Sequence, residues 1–175
     1  MKNHILVLDF DSNVMEIYTS GYQYKGKGDK LEIMSRGPTI HATVIMKNGQ
    51  IIEGDFIVDT GSNSSLTLNS GYTDTTKLRE LIGEYKIYNT YDMCGNVQIE
   101  YEGKAKNLII GTAQTDVIPT TLSIVSSGVL AEKEYAGLIG TPVLRCFTMV
   151  IDMNNKQIYM QSNSSLKDYS KNAKH

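Results

Sequence analysis

The chain predicts an all-β fold with one or two short helices, and three observations carry that expectation. Apolar and polar residues alternate with period two over much of its length, the spacing of strands rather than of helices. Gly, Asn and Asp cluster between these runs, where hairpins would turn. Helical spacing of apolar residues occurs in only two stretches, both brief.

The first hairpin lies at residues 40–58. Ile40, Ala42, Val44 and Met46 alternate with His41, Thr43 and Ile45, then Asn48-Gly49 interrupts and Ile51-Ile52-Glu53 resumes. Asn-Gly between alternating runs favours a type I′ turn, since both residues tolerate positive φ. The returning strand runs through Asp55-Phe56-Ile57-Val58 and delivers Asp59 at its end. Asp74 is placed to cap a short helix with Leu78, Leu81 and Ile82 on one face and Gly83 as the stop. A second hairpin spans residues 85–99 and turns near Cys94-Gly95-Asn96. Strands follow at 105–110, ending at Gly111, and at 117–125. Thr141 caps a second helix with Pro142 in its first position, and Val143, Leu144 and Phe147 form its buried stripe. Strands at 147–152 and 157–160 close the series.

Residues 7–17 align without gaps on residues 150–160. Val7-Leu8-Asp9 falls on Val150-Ile151-Asp152, Ser12-Asn13 on Asn155-Lys156, and Met15-Glu16-Ile17 on Ile158-Tyr159-Met160. Each copy is an apolar strand, an acidic-amide turn and a second apolar strand. Two ordinary hairpins could share this turn chemistry; alternatively, residues 1–20 end a preceding lobe of similar build. Gly21 to Gly28, rich in Gly and Lys, reads as a linker or exposed loop. The tail from Ser164 to His175 is polar and expected to fray. The resulting division is a strand-rich extension at 1–36, one lobe at 37–161 and a polar tail at 162–175.

Composition removes several function classes. At 41% hydrophobic and 21% charged residues the chain can bury a core and is not disordered. A net charge of −2 offers no basic face for nucleic acid. No apolar run reaches the roughly 18 residues of a membrane span. The apolar run after Met1-Lys2 stops at Asp9, short of the roughly 7–15 residues of a signal-peptide core. His4, His41 and His175 are scattered, so no metal site is expected, and no cofactor is implied. Gly21, Gly26 and Lys27 imitate a phosphate-binding loop but lack its Ser or Thr and the helix that should follow. Ser62, Ser64 and Ser65 lack the setting of a serine nucleophile. Cys94 and Cys146 have no metal-ligand spacing and leave both a disulfide and two free thiols open.

The strongest chemical signal is Phe56-Ile57-Val58-Asp59-Thr60-Gly61-Ser62. Three apolar residues set a carboxylate at the end of a buried strand, where it is poorly solvated. Gly61 permits a backbone turn that a Cβ would obstruct. Hydroxyls of Thr60 and Ser62, together with backbone amides, are available to orient the carboxylate. The plainer alternative is an Asx turn in which Asp59 caps only its own loop.

The apolar-apolar-Asp-Thr-Gly-Ser run resembles the active-site signature of aspartic proteases, both two-lobed pepsin-like and single-lobed retropepsin-like. A second family signature, two apolar residues and a glycine before a short helix, is matched by Leu138-Ile139-Gly140-Thr141-Pro142-Val143-Leu144. The resemblance runs from about Thr39 to Gln161 and implies an acid-protease closed β-barrel. It departs from the retroviral enzymes in having Thr141-Pro142 where they carry an Arg-Asp or Arg-Asn pair. It is similar in feel to bacterial retropepsin-like proteins in which two lobes occur in tandem, which would imply the periplasm or cell envelope. The residues themselves assign no compartment.

That resemblance implies an aspartic endopeptidase acting on extended peptides, with Asp59 catalytic and Thr60, Gly61 and Ser62 supporting it. Leu138, Ile139 and Gly140 would brace the loop. Met93, Cys94, Gly95 and Asn96 fall where the family places its flap over the substrate. The chemistry needs two carboxyls sharing one proton, and this chain has one Asp-Thr-Gly. The second would come from a homodimer or from another lobe. The competing expectation is a catalytically silent lobe that binds peptide or mediates dimerisation.

Overall fold

Strand-forming alternation is realised in two sheets. The computed structural model describes residues 4–19, 21–25, 29–32, 38–91, 95 and 97–172. The N-terminal strands are β1 (Ile5–Asp9), β2 (Val14–Tyr18) and β3 (Asp29–Glu32). The central strands are β4 (Thr39–Ile45), β5 (Ile51–Asp59), β6 (Leu66–Leu68), β7 (Lys86–Tyr91), β8 (Val97–Ala105), β9 (Asn107–Ile110), β10 (Ala113–Thr115), β11 (Ile118–Ser123) and β12 (Gly137–Gly140). The closing strands are β13 (Phe147–Asp152) and β14 (Gln157–Ser162). Three helices punctuate them: α1 (Leu78–Ile82), α2 (Thr141–Leu144) and α3 (Ser165–Asn172).

The larger sheet has the order β10-β9-β4-β5-β12-β6-β11-β8-β7 and the smaller β2-β1-β13-β14-β3. The closed barrel expected from the resemblance does not form among the described residues, because β10 and β7 stay unjoined edges. The reason lies in the middle of the sheet. β12 enters parallel to β5, and β6 enters parallel to β11, so two short crossover strands widen the sheet rather than close it. Alternation decides the core: Ile40, Val44, Ile52 and Phe56 are fully buried from β4 and β5, and they meet Leu66, Leu108, Ile118, Leu122 and Ile139.

Local corrections follow from geometry. Only Gly49 of the Asn-Gly pair has positive φ, at 86°. Gly49 N donates to Met46 O and Met46 N to Gln50 O, so the loop is a three-residue turn with a left-handed glycine, not type I′. Asp74 braces Thr76 one turn ahead of α1 rather than capping it, whereas Gly83 ends α1 as expected, with φ 74°. Gly140 takes the cap of α2, one residue before Thr141, and Phe147 is buried in β13 instead of on the helix. His41 points outward, its ring between Glu53 (3.1 Å) and Asp55 (3.0 Å), and these carboxylates hold its pKa above the usual value.

Neither end of the chain behaves as composition suggests. β1 pairs with β13 along its whole length, so the N-terminal strands share a sheet with the closing hairpin. Tyr22 and Tyr24, in the stretch read as a linker, are half-buried. Tyr22 lies 4.5 Å from Tyr18 and Tyr24 4.7 Å from Tyr159, ring to ring, over Ile5, Val7 and Val150. Gly26, Lys27 and Gly28 lie outside the described residues. The tail is helical through Asn172 and packs Leu166 and Tyr169 on the core. Asp11, in the β1–β2 turn, accepts from Ser164 N and Oγ and from Ser165 Oγ at 3.2–3.3 Å and holds the start of α3 in place.

This docking has an alkaline signature. Burial pushes the Tyr169 hydroxyl up to about 12 and the Cys146 thiol up to about 11. Both groups are neutral when folded and ionise more readily when unfolded. Stability is therefore full below the ordinary pKa of each group and falls as pH climbs from about 9 to about 12. Urea midpoints measured across that window should drop steeply in the unsubstituted chain and less so in Tyr169→Phe. Equal slopes would show that the helix does not bury this ring.

Candidate active site

Asp59 stands where β5 leaves the core. Val58, buried, donates its N–H to Pro38 O at 2.9 Å, and the next residue turns outward. Gly61 N donates to Asp59 Oδ1 at 2.8 Å, and Ser62 N to Asp59 O at 3.3 Å. No other hydrogen bond to the Asp59 carboxylate occurs among the described residues. One oxygen is thus fixed by the backbone while the other can accept or deliver a proton. Thr60 and Gly61 are exposed and Asp59 is half-buried.

The second motif comes alongside from the far part of the chain. β12 runs parallel to β5, with Leu138 opposite Ile57, Ile139 opposite Val58 and Gly140 opposite Asp59. Gly140 N donates to Ser65 O (3.2 Å), Thr141 N to Ser62 O (2.9 Å) and Thr141 Oγ1 to Thr60 O (2.8 Å). The Asp-Thr-Gly loop is therefore stitched to the start of α2 on both sides of Gly61. A Cβ on Gly140 would overlap the Ser64 carbonyl oxygen and reach Ser62 O at 2.9 Å and Ser62 Oγ at 3.0 Å. Glycine here is a packing requirement, since the backbones approach too closely for any side chain.

The structure thus brings Asp59, Thr60, Gly61 and Ser62 together with Leu138, Ile139 and Gly140. Ser62 Oγ accepts from Ser64 N at 3.2 Å and braces the loop, without a bond from this hydroxyl to the carboxylate. Gly95 is exposed with φ 83°, between β7 and β8, which pair from Tyr91 opposite Val97 onward. Met93, Cys94 and Asn96 lie outside the described residues. Cys146 is a free buried thiol.

Two features escaped sequence reasoning. Strand β6 is too short to show a period, yet it lies between β12 and β11 and pairs Leu66 with Ile139. The Thr141 hydroxyl bridge to Thr60 joins residues far apart in sequence, and no local signal marks it. Beside the site, Val58 and Thr60 edge an apolar groove of about 440 Å3 whose other walls come from β1, β2 and the start of the β13–β14 turn. Among the described residues, no helix is long and apolar enough to cross a membrane, and no cluster of three potential metal ligands occurs.

No protein-family model and no curated protein sequence matches the chain. Among solved structures, it is similar to the aspartic proteinase from Irpex lacteus, with a TM-score of 0.53 at 14% sequence identity. The match covers 95% of this chain and 58% of that proteinase. The chain thus has an aspartic-protease-like fold, mostly β in two sheets, and spans little more than half the length of its structural neighbour.

Proposed function

We propose that this chain is one catalytic lobe of an aspartic endopeptidase, with Asp59 as one of two carboxyls that share a proton. The observation that carries the reading is the junction of the two motifs, with Gly140 paired opposite Asp59 and Thr141 bonded to Thr60 and Ser62. The bond from Gly61 N to Asp59 Oδ1 is the Asx turn that the plainer alternative also expects, and it fixes one carboxylate oxygen. A carboxylate held this way presents its free oxygen outward without swinging. Two carboxyls brought close cannot both ionise, so one is base and the other acid. The ionised member takes a proton from water as its oxygen attacks the peptide carbonyl carbon. The protonated member gives its proton to the carbonyl oxygen. Collapse of the resulting diol breaks the C–N bond: the first carboxyl gives the leaving nitrogen the proton it took from water, and a diol hydroxyl returns its proton to the second, restoring the shared proton.

Substrate would lie extended between the loop and the β7–β8 hairpin, whose tip at Met93, Cys94, Gly95 and Asn96 would close over it. A groove of about 420 Å3 beside that hairpin, lined by Val97, Ile99, Ile124 and Val125 together with the polar Gln98, Ser126 and Ser127, offers room for a peptide segment of mixed character. The single Asp-Thr-Gly favours one alternative, a lobe that binds extended peptides without cutting them.

The test is cleavage of a mixed peptide library between about pH 3 and 7, over a range of protein concentrations, with Asp59→Asn beside the unsubstituted chain. Alone, this chain should cut weakly, best at acid pH, with a rate that rises faster than linearly with concentration. Asp59→Asn should lower the rate at least about 100-fold, the scale of a lost general acid–base group. An Asp59→Asn chain that cuts as fast as its parent sinks the proposal. Peptide binding with no cleavage by either chain at any concentration would favour the silent lobe.

A further inference from the structure

The short helix beside the candidate site is held at both ends. α2 has only the residues Thr141–Leu144, too few to keep a helical turn without help from its surroundings. Its first residue grips the Asp59 loop, with Thr141 N donating to Ser62 O at 2.9 Å and Thr141 Oγ1 to Thr60 O at 2.8 Å. Within the turn, Arg145 N donates to Thr141 O and Cys146 N to Val143 O, both at 2.9 Å. The carbonyls of Arg145 and Cys146 lie past the end of α2 and need partners from outside it, as the last carbonyls of any helix do.

Both are taken by Asn163. Its Nδ2 donates to Arg145 O and its backbone N–H to Cys146 O, each at 2.9 Å. Its Oδ1 accepts from Ser165 N at 3.0 Å, so the same side chain caps the start of α3. α3 is fixed by other contacts as well. Asp11 holds Ser164 and Ser165, and Leu166 and Tyr169 pack on the core. The buried Tyr169 hydroxyl lies against the Ser65 side chain, and Ser65 O accepts from Gly140 N at 3.2 Å. The closing helix therefore reaches the seam between the two motifs twice, through α2 at Thr141 and through Ser65 at Gly140.

We propose that Asn163 is a positioning residue for Asp59. It ties the trailing end of α2 to a helix that is itself anchored. The leading end then cannot turn away from Thr60 and Ser62, and the loop that carries the carboxylate keeps its shape. The consequence for peptide cleavage rests on the proposed function, whereas the link from Asn163 through α2 to the loop stands on these hydrogen bonds alone.

The experiment follows amide hydrogen exchange in the full chain for Asn163→Ser, Thr141→Val and the double variant. Serine keeps an oxygen able to cap α3 but is too short to donate to Arg145 O. In Asn163→Ser, exchange at Gly140 N and Thr141 N, the two bonds that join the motifs, should rise at least about tenfold, while amides of the β4–β9 pairs stay within about twofold. In the Thr141→Val background the same substitution should add less than about twofold, because the path through the hydroxyl is already cut. Coupling is reciprocal, so Thr141→Val alone should raise exchange at Asn163 N, which reads the link with no change made at Asn163. Where the chain cuts peptide, Asn163→Ser should lower kcat with KM little changed. A uniform rise across all amides overturns the proposal and leaves Asn163 a stabilising residue only. So does unchanged exchange at Gly140 and Thr141, or an equal effect of Asn163→Ser with and without the Thr141 hydroxyl. Coupling seen in exchange in a chain that cuts no peptide counts against the proposed function and leaves the link intact, so the two failures are distinguishable.

Discussion

A Gly140→Ala chain is expected to lose about 3 kcal/mol of stability or more, at the upper end of overpacking penalties, and to lose peptide cleavage with it. The added methyl would occupy space held by the Ser64 carbonyl oxygen, and Ser62 O and Oγ stand close behind at 2.9 and 3.0 Å. These are backbone groups and a short side chain, with no flexible end to swing aside. Relief requires moving either β12 or the Ser62–Ser64 loop. The first breaks the pairing of Gly140 with Asp59, and the second pulls on the loop that carries Thr60 and Gly61. For a chain of this length the loss amounts to a melting temperature lower by roughly 6–12 °C. Gly61→Ala is the informative contrast. Contrary to the expectation that a Cβ would obstruct this turn, Gly61 does not have positive φ. Its Cβ would meet only Asp59 Oδ1, at 3.2 Å, so stability should change by less than about 1 kcal/mol while cleavage falls because the carboxylate is pushed off its tether. Thermal melts and cleavage rates of the two variants separate the roles. A Gly140→Ala chain that melts with its parent would mean that β12 and the loop do not approach as closely as described.

What the sequence made legible was whatever is written locally. The alternation of β4 and β5, the stop at Gly83 and the hairpin around Gly95 are each decided by a few adjacent residues. The two glycine motifs were legible as motifs because each pairs an apolar strand end with a tight turn. Their juxtaposition was not, since β5 and β12 are parallel neighbours brought together by a crossover that leaves no periodic trace. Closure of the larger sheet was misread for a related reason: strand period says which face is buried and nothing about whether two edges meet. Asn48-Gly49 was misassigned because both turn types favour Asn and Gly and differ in the φ of Asn48 and in the register of their flanks. The tail was misjudged on polarity. Leu166 and Tyr169 stand one helical turn apart, enough to pack α3, while the carboxylate that holds its start, Asp11, belongs to the opposite end of the chain.

Asn69→Leu is expected to cost about 2–5 kcal/mol, because it strands several buried backbone groups at once and each costs on the order of 1–3 kcal/mol. Asn69 follows β6 and is 2% exposed. Its Nδ2 donates to Tyr135 O at 3.1 Å and to Glu132 O, and its Oδ1 accepts from Gly71 N at 2.7 Å. Its backbone N–H also donates to Ala136 O at 2.9 Å. One side chain thereby fastens the segment that leads into β12, and so the strand that carries Gly140 to Asp59. Leucine has the same branching and number of side-chain heavy atoms, is bulkier, and can make none of the side-chain bonds. Asn69→Asp keeps the acceptor for Gly71 N but turns the donor into a second acceptor facing two carbonyl oxygens. Burial and those carbonyl oxygens both disfavour the charged form, so the folded state prefers the protonated acid and its pKa rises above the unfolded value. The Asn69→Asp chain should therefore be weakest at neutral pH and regain stability as pH falls through its raised pKa toward the ordinary carboxylate range, whereas Asn69→Leu should show no such recovery. Urea titrations of both variants at pH 7 and pH 4 check this. If the two variants respond alike to pH, Asn69 is not fastening the approach to β12 through its donated hydrogen bonds.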